Sequence, residues 1–131
     1  MRIHRLVLAT GLAVLALSLS GCGGLYQALG ITTVNLTSQH TFDPQASTAV
    51  NGTTMYFTNV DTVPHSVTPD TAAGPNSDIA YPNGIPAGST YSYTVPTVAS
   101  GTTYFFHDRF FGSAGTGHAY GSGMAGSITI Q

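Results

Sequence analysis

The chain has 131 residues, 42% of them hydrophobic, enough for one modest core, and only 6% are Asp, Glu, Lys or Arg, against about a quarter in ordinary soluble domains. It contains no Lys, and beyond residue 21 a single base, Arg109, faces Asp43, Asp61, Asp70, Asp78 and Asp108, a formal −4. One cation cannot neutralise a run of phosphates, so nucleic-acid binding is excluded as a function class, while such sparse charge suits an acidic or saline exterior where carboxylates protonate or are screened.

Residues 1–21 follow the grammar of an export signal: basic Arg2 and Arg5, then an apolar run from Leu6 to Leu19, then small residues. The run is too short to span a bilayer comfortably. Its end, Leu19-Ser20-Gly21-Cys22, resembles the bacterial lipoprotein signal, in which the cysteine is lipidated and becomes the new N-terminus. Cys22 is the only cysteine, so it forms no internal disulfide, and once lipidated it is no thiolate ligand. Gly23 and Gly24 follow, without the Asp that marks inner-membrane retention in that pattern, so the expected setting is an outer-leaflet or outer-membrane anchor with the domain facing the periplasm or the exterior. Residues 22–30 read as a tether, and the folded domain as residues 31–131.

From Ile31 onward, short β-branched and aromatic runs alternate with Gly, Pro, Asn and Asp, with no sustained helical periodicity. Strands are predicted near 32–38, 48–50, 53–59, 65–68, 89–94, 102–107 and 126–130. Seven or eight strands at this spacing predict an all-β, antiparallel Greek-key sandwich or barrel. Residues 70–86, rich in Pro, Gly, Ala and Asn, carry no strand signal and are expected to wrap one edge. No phosphate loop, nucleophile elbow or paired-carboxylate site is visible, so an enzyme is not expected.

Several segments in succession resemble the cupredoxins, the copper-binding sandwich family that includes plastocyanin, amicyanin and azurin. They are His40-Thr41-Phe42-Asp43-Pro44, the run from Gly52 to Asp61, Val63-Pro64-His65-Ser66-Val67, the run from Ile85 to Tyr93, Gly101-Thr102, His118 and Gly123-Met124-Ala125-Gly126. Each is weak alone; their order and separations make the resemblance specific. It implies a copper site in which His65 is the first imidazole, His118 the second and Met124 a weak axial thioether. The thiolate position departs from the family. An ungapped count from Gly101 places His107 there, and a one-residue insertion places Asp108 there instead; the reading that needs no insertion gives His65, His107, His118 and Met124 as the metal set. Both faces of the strand are aromatic, so alternation does not decide. The His107–His118 interval, ten residues, is also longer than in the familiar members.

Without sulfur, a copper(II) form should be pale, nitrogen donors favour copper(II), and three histidines would also suit zinc. Affinity should fall below the histidine range near 6.5. The implied function is an extracytoplasmic, lipid-anchored copper protein for storage, transport or buffering. The alternatives are electron transfer through the same site and a metal-free interaction module. His40 reads as a surface residue near the tether, and Asp61 as a turn cap before Pro64. Phe110 and Phe111 read either as a docking patch for a partner or as the anchor of a long loop.

Overall fold

The computed structural model describes residues 32–115 and 123–131. The leader, the tether with Cys22, and His118 lie outside the described residues. Those described form no helix and eight strands: β1 (Thr32–Leu36), β2 (Phe42–Asp43), β3 (Ala46–Ala49), β4 (Thr54–Asn59), β5 (Thr68–Pro69), β6 (Thr90–Thr94), β7 (Thr103–Gly112) and β8 (Gly123–Ile130). One sheet runs β2-β1-β4-β6 and the other β3-β8-β7-β5. The all-β sandwich is as the sequence predicts, but each sheet is mixed: β1 runs parallel to β4, and β3 parallel to β8.

Alternation builds the core. Val34 and Leu36 of β1, Met55 and Phe57 of β4, Tyr104 and Phe106 of β7, and Ile128 and Ile130 of β8 all point between the sheets. Phe106 is the pin between layers, its ring edge-to-face with Phe42 at 4.9 Å and with Phe57 at 5.5 Å. Each such contact contributes about 0.5–1.5 kcal/mol beyond area burial. Gly126, on the neighbouring strand, makes room for it: a Cβ there would lie 2.8 Å from the Phe106 ring and 2.9 Å from the Gln45 carbonyl oxygen.

The strand predicted over 65–68 shrinks to β5, and the cause is in its backbone donors. Pro64 has none, the Ser66 N–H is taken by the Asp108 carboxylate, and the Val67 N–H by the Ser77 hydroxyl. His65 instead makes an isolated bridge to Ile85. Residues 70–86 wrap the edge as expected. Ser77 and Asp78 hydrogen-bond to Val67 and Thr68 beside β5, while the Tyr81 hydroxyl donates to the Thr90 carbonyl of β6. The segment thus closes one side of the sandwich by joining an edge of each sheet.

Gly126→Ala is expected to destabilise the domain by about 1–3 kcal/mol through overpacking against Phe106, read as a lower urea midpoint at unchanged slope. Burial pushes the Tyr93 hydroxyl up to about 12. The folded state therefore keeps a proton that the unfolded chain loses near 10, and stability should fall as pH rises between these values. Tyr93→Phe should flatten that decline in alkaline urea titrations.

Candidate metal centre

Residues 59–65 form the loop that presents His65. The side chain of Asn59, wholly buried, donates from Nδ2 to the carbonyls of Val63 and Ile85 at 2.8 Å each and accepts the Asp61 N–H at 2.9 Å. Backbone bonds in both directions between His65 and Ile85 fix the loop's far end. The His65 ring is thereby driven to zero exposure, between two carboxylates. Its Nδ1 lies 2.7 Å from Asp108 Oδ2, and its Nε2 lies 3.0 Å from Asp61 Oδ2.

Both carboxylates also accept backbone amides. Asp108 accepts the Ser66 N–H at Oδ2 and the Phe110 N–H at Oδ1, and Asp61 accepts the Thr62 N–H at Oδ1. In each contact the carboxylate oxygen accepts from the ring nitrogen that carries a hydrogen, and the tautomer of His65 sets which nitrogen that is. The Thr62 amide first, and then the His65 ring, hold Asp61 below the usual carboxylate range.

On β7, Tyr104, Phe106 and Asp108 point inward, while Phe105, His107 and Arg109 point outward. The β7 residue beside His65 is therefore Asp108. His107 lies on the opposite face, its Nδ1 2.7 Å from Asp70 Oδ1, and it is not brought to His65. Arg109, the next outward residue, pairs with Asp78 at 2.9 Å, donates to the Pro82 carbonyl and lies 4.8 Å over the Phe110 ring. The parity of β7 is set in the core by Phe106, whose contacts with Phe42 and Phe57 were not visible in an alternation of aromatics.

Beyond the His107↔Ala125 pair the register shifts until Gly112↔Gly123, so residues 108–111 of β7 bulge against Met124 alone on β8. Met124 is fully buried in the core cluster at this bulge. The bulge also separates the two phenylalanines. Phe110 is 47% exposed, whereas Phe111 packs against the core and stacks on His40. Phe111 thus anchors and Phe110 remains on the surface. His118 belongs to the segment outside the described residues. Among the described residues no group of three or more His, Cys, Asp or Glu side chains is arranged to hold a metal ion. The donors that do face one another are the His65 imidazole and the carboxylates of Asp108 and Asp61, one on each ring nitrogen, a set of nitrogen and oxygen donors that lacks the thiolate of a blue copper site.

No family model matches the chain, and no curated protein sequence does. Solved structures do. A methionine-to-alanine mutant of amicyanin in its Cu(I) form superposes with a TM-score of 0.53 at 17% identity, covering 78% of this chain and 83% of that one. An oxidized methionine-to-lysine mutant of amicyanin gives 0.54 at 17% identity with the same coverage. A reduced proline-to-phenylalanine mutant gives 0.52 at 18%, again with that coverage. The fold is cupredoxin-like.

The placement of the two candidate residues on β7 is separable by stability. Asp108→Ala leaves a buried imidazole and two backbone N–H groups without their acceptor and should cost about 3–5 kcal/mol. His107→Ala, at a half-buried outward position, should cost about 1 kcal/mol. Urea unfolding in the presence of chelator measures both, and equal losses would contradict the geometry.

Proposed function

We propose that this protein is an extracytoplasmic, lipid-anchored copper-binding protein with a thiolate-free cupredoxin site, which stores, carries or buffers copper. The observation that carries the reading is the pairing of wholly buried His65 with Asp108 at 2.7 Å, beside the buried Met124, in a cupredoxin-like sandwich. We assign the ion to His65, Asp108, His118 and Met124. Asp108 replaces His107 in that set because it is the β7 side chain that faces His65.

When bound, copper would supply a redox-capable Lewis acid. The protein's own part is to hold an imidazole and a carboxylate at contact distance before the ion arrives, and to wall them from solvent. Nitrogen and oxygen donors favour copper(II), and in a site of this kind divalent copper outcompetes zinc at equal availability, although zinc fits the same donors. An electron carrier needs similar stability in both oxidation states, and a hard carboxylate in the thiolate position works against copper(I). Storage or buffering of copper(II) follows more naturally. Lipidation of Cys22 would hold the domain at a membrane, and the exposed Phe110 is available for a donor or acceptor protein.

Titration of the leaderless domain with copper(II) should end at one equivalent, with a pale solution and an ordinary tetragonal electron paramagnetic resonance spectrum. Asp108→Cys should create an intense visible band from thiolate-to-copper charge transfer, and His107→Cys should create none. The absence of stoichiometric copper binding would overturn the reading, and a strong band from His107→Cys would overturn the assignment of Asp108.

A further inference from the structure

The strand β6, Thr90-Tyr91-Ser92-Tyr93-Thr94, stands at the edge of its sheet and pairs on one side, with β4. The bonds at the two ends of that pairing set which way its backbone points. The Val95 N–H goes to the Thr53 carbonyl, the Asn59 N–H goes to the Ser89 carbonyl, and the register between them is unbroken. Tyr91 and Tyr93 therefore turn their N–H and C=O groups toward β4, while Thr90, Ser92 and Thr94 turn theirs to the open side. The Tyr81 hydroxyl donates to the Thr90 carbonyl there, and the Tyr91 hydroxyl accepts the Asn76 N–H. Among the described residues no hydrogen bond from 70–86 reaches Ser92 or Thr94, and both are exposed.

Sheets guard such an edge with lysine, proline, a bulge or an inward-pointing charge. β6 has no charged residue, no proline and no register shift against β4. Its sequence instead reads the same in both directions about Ser92. Laid antiparallel against the same strand of a second copy, on a two-fold axis at Ser92, it sets Ser92 against Ser92, Tyr91 against Tyr93 and Thr90 against Thr94. The backbone parity agrees. A two-fold axis at Ser92 on this edge requires that Ser92 exchange both of its backbone bonds with its copy, and its groups are among those that point outward. Thr90 and Thr94 exchange theirs in the same way, since a carbonyl has a second lone pair beside the one the Tyr81 hydroxyl takes. The half-buried tyrosines, which pack on the core, then meet across the pair on the inner face, and the threonine hydroxyls meet on the outer one.

We propose that two copies of this protein associate edge to edge through β6, on a two-fold axis at Ser92, so that their β2-β1-β4-β6 sheets join into one. The occupant of the edge is a second copy because the strand matches itself: an unrelated extended segment would take up the open N–H and C=O groups equally well without any symmetry of side chains about Ser92. Charge agrees with this choice. Each domain is acidic, yet neither β6 nor the neighbouring β4 carries a charged side chain, so like charges do not meet at the contact. The pairing is isologous and closes on itself, which limits it to dimers along this edge. It uses neither His65 nor an ion and is independent of the copper reading.

The experiment uses the full chain in a nonionic detergent with Cys22→Ser as the parent, so that an introduced cysteine is its one thiol. Across a hydrogen-bonded antiparallel pair the two Ser92 Cα atoms would lie about 5.5 Å apart, within disulfide range. The two Thr94 residues would be displaced by four residues along the strands, about 14 Å. Under oxidised glutathione, Ser92→Cys should form a disulfide dimer about tenfold faster than Thr94→Cys, because the sulfurs must be held close to react. A mixture of Thr90→Cys and Thr94→Cys chains should give the mixed dimer faster than either chain gives its own. The parent's sedimentation should move from monomer toward dimer as concentration rises. Ser92→Pro, which removes an outward N–H that the single copy does not use, should hold it at monomer with the cooperative urea transition kept. A parent that stays monomeric overturns the proposal, as do equal cross-linking rates at positions 92 and 94 or an association that survives Ser92→Pro. The exposed cysteine positions test the register even where the proline variant fails to fold.

Discussion

The contact between His65 and Asp108 joins the loop that follows β4 to the strand β7, and with it the two sheets at one end of the sandwich. It does so with no solvent on either side chain, so its partners cannot be replaced by water when one is lost. The rest of that end is organised to make the contact affordable. Asn59 shapes the loop, Ile85 fixes its backbone, and the amides of Ser66 and Phe110 satisfy the carboxylate. Asp61 completes the surround by taking the other ring nitrogen. A buried polar pair is tolerable only when its remaining hydrogen-bond capacity is filled, and here both oxygens of Asp108 and both nitrogens of His65 are occupied.

The β7 bulge is the second determinant. A regular pairing would have carried strict alternation from Asp108 to Phe111, placing Phe110 beside Asp108 on the inner face and Phe111 on the outer. Bulging four residues against Met124 uncouples the strand end from that parity. Asp108 stays inside by alternation from Phe106, while Phe111 turns to the core and forms the platform for His40. The same bulge sets the buried Met124 opposite residues 108–111 of β7.

How much of this was legible in the sequence follows from which interactions are local. Strand positions for β1, β4 and β6 are carried by runs of β-branched and aromatic residues, and the motif around His65 carries its burial. The extent of β5 was not legible, because the donors of Ser66 and Val67 are claimed by side chains forty-two and ten residues away. The face of His107 was not legible either. Tyr104, Phe105 and Phe106 give aromatic character to both faces, and only contacts from Phe42 and Phe57 on the other sheet decide which is the core. Asp61 was readable as a turn cap, which its Oδ1 is, but nothing local indicates that its Oδ2 reaches His65. His40 gave no signal beyond being polar in a turn, since its positive φ and its stack on Phe111 depend on a strand end seventy residues later.

The scarcity of charge takes on a different meaning once the pairs are placed. Of the five aspartates, Asp61 and Asp108 hold His65, Asp70 holds His107, and Asp78 holds Arg109. All of these pairs gather at the β5, β7 and 59–65 end, so charge is used there for fixing loops rather than for solvating the surface. Pairs as covered as those of His65 are screened little by salt, so their hold on the fold does not depend on ionic strength as surface pairs would. The same economy bears on the proposed metal centre. Because His65 and Asp108 already hold each other through a hydrogen bond, the fold does not wait for an ion to assemble, and an ion replaces a hydrogen between groups already at contact distance. The cost of ordering the ligands is met by folding, while the hydrogen bond given up on binding offsets part of the gain. Under the copper reading proposed above, a site built this way would favour an ion that can be taken up and released over one locked in place.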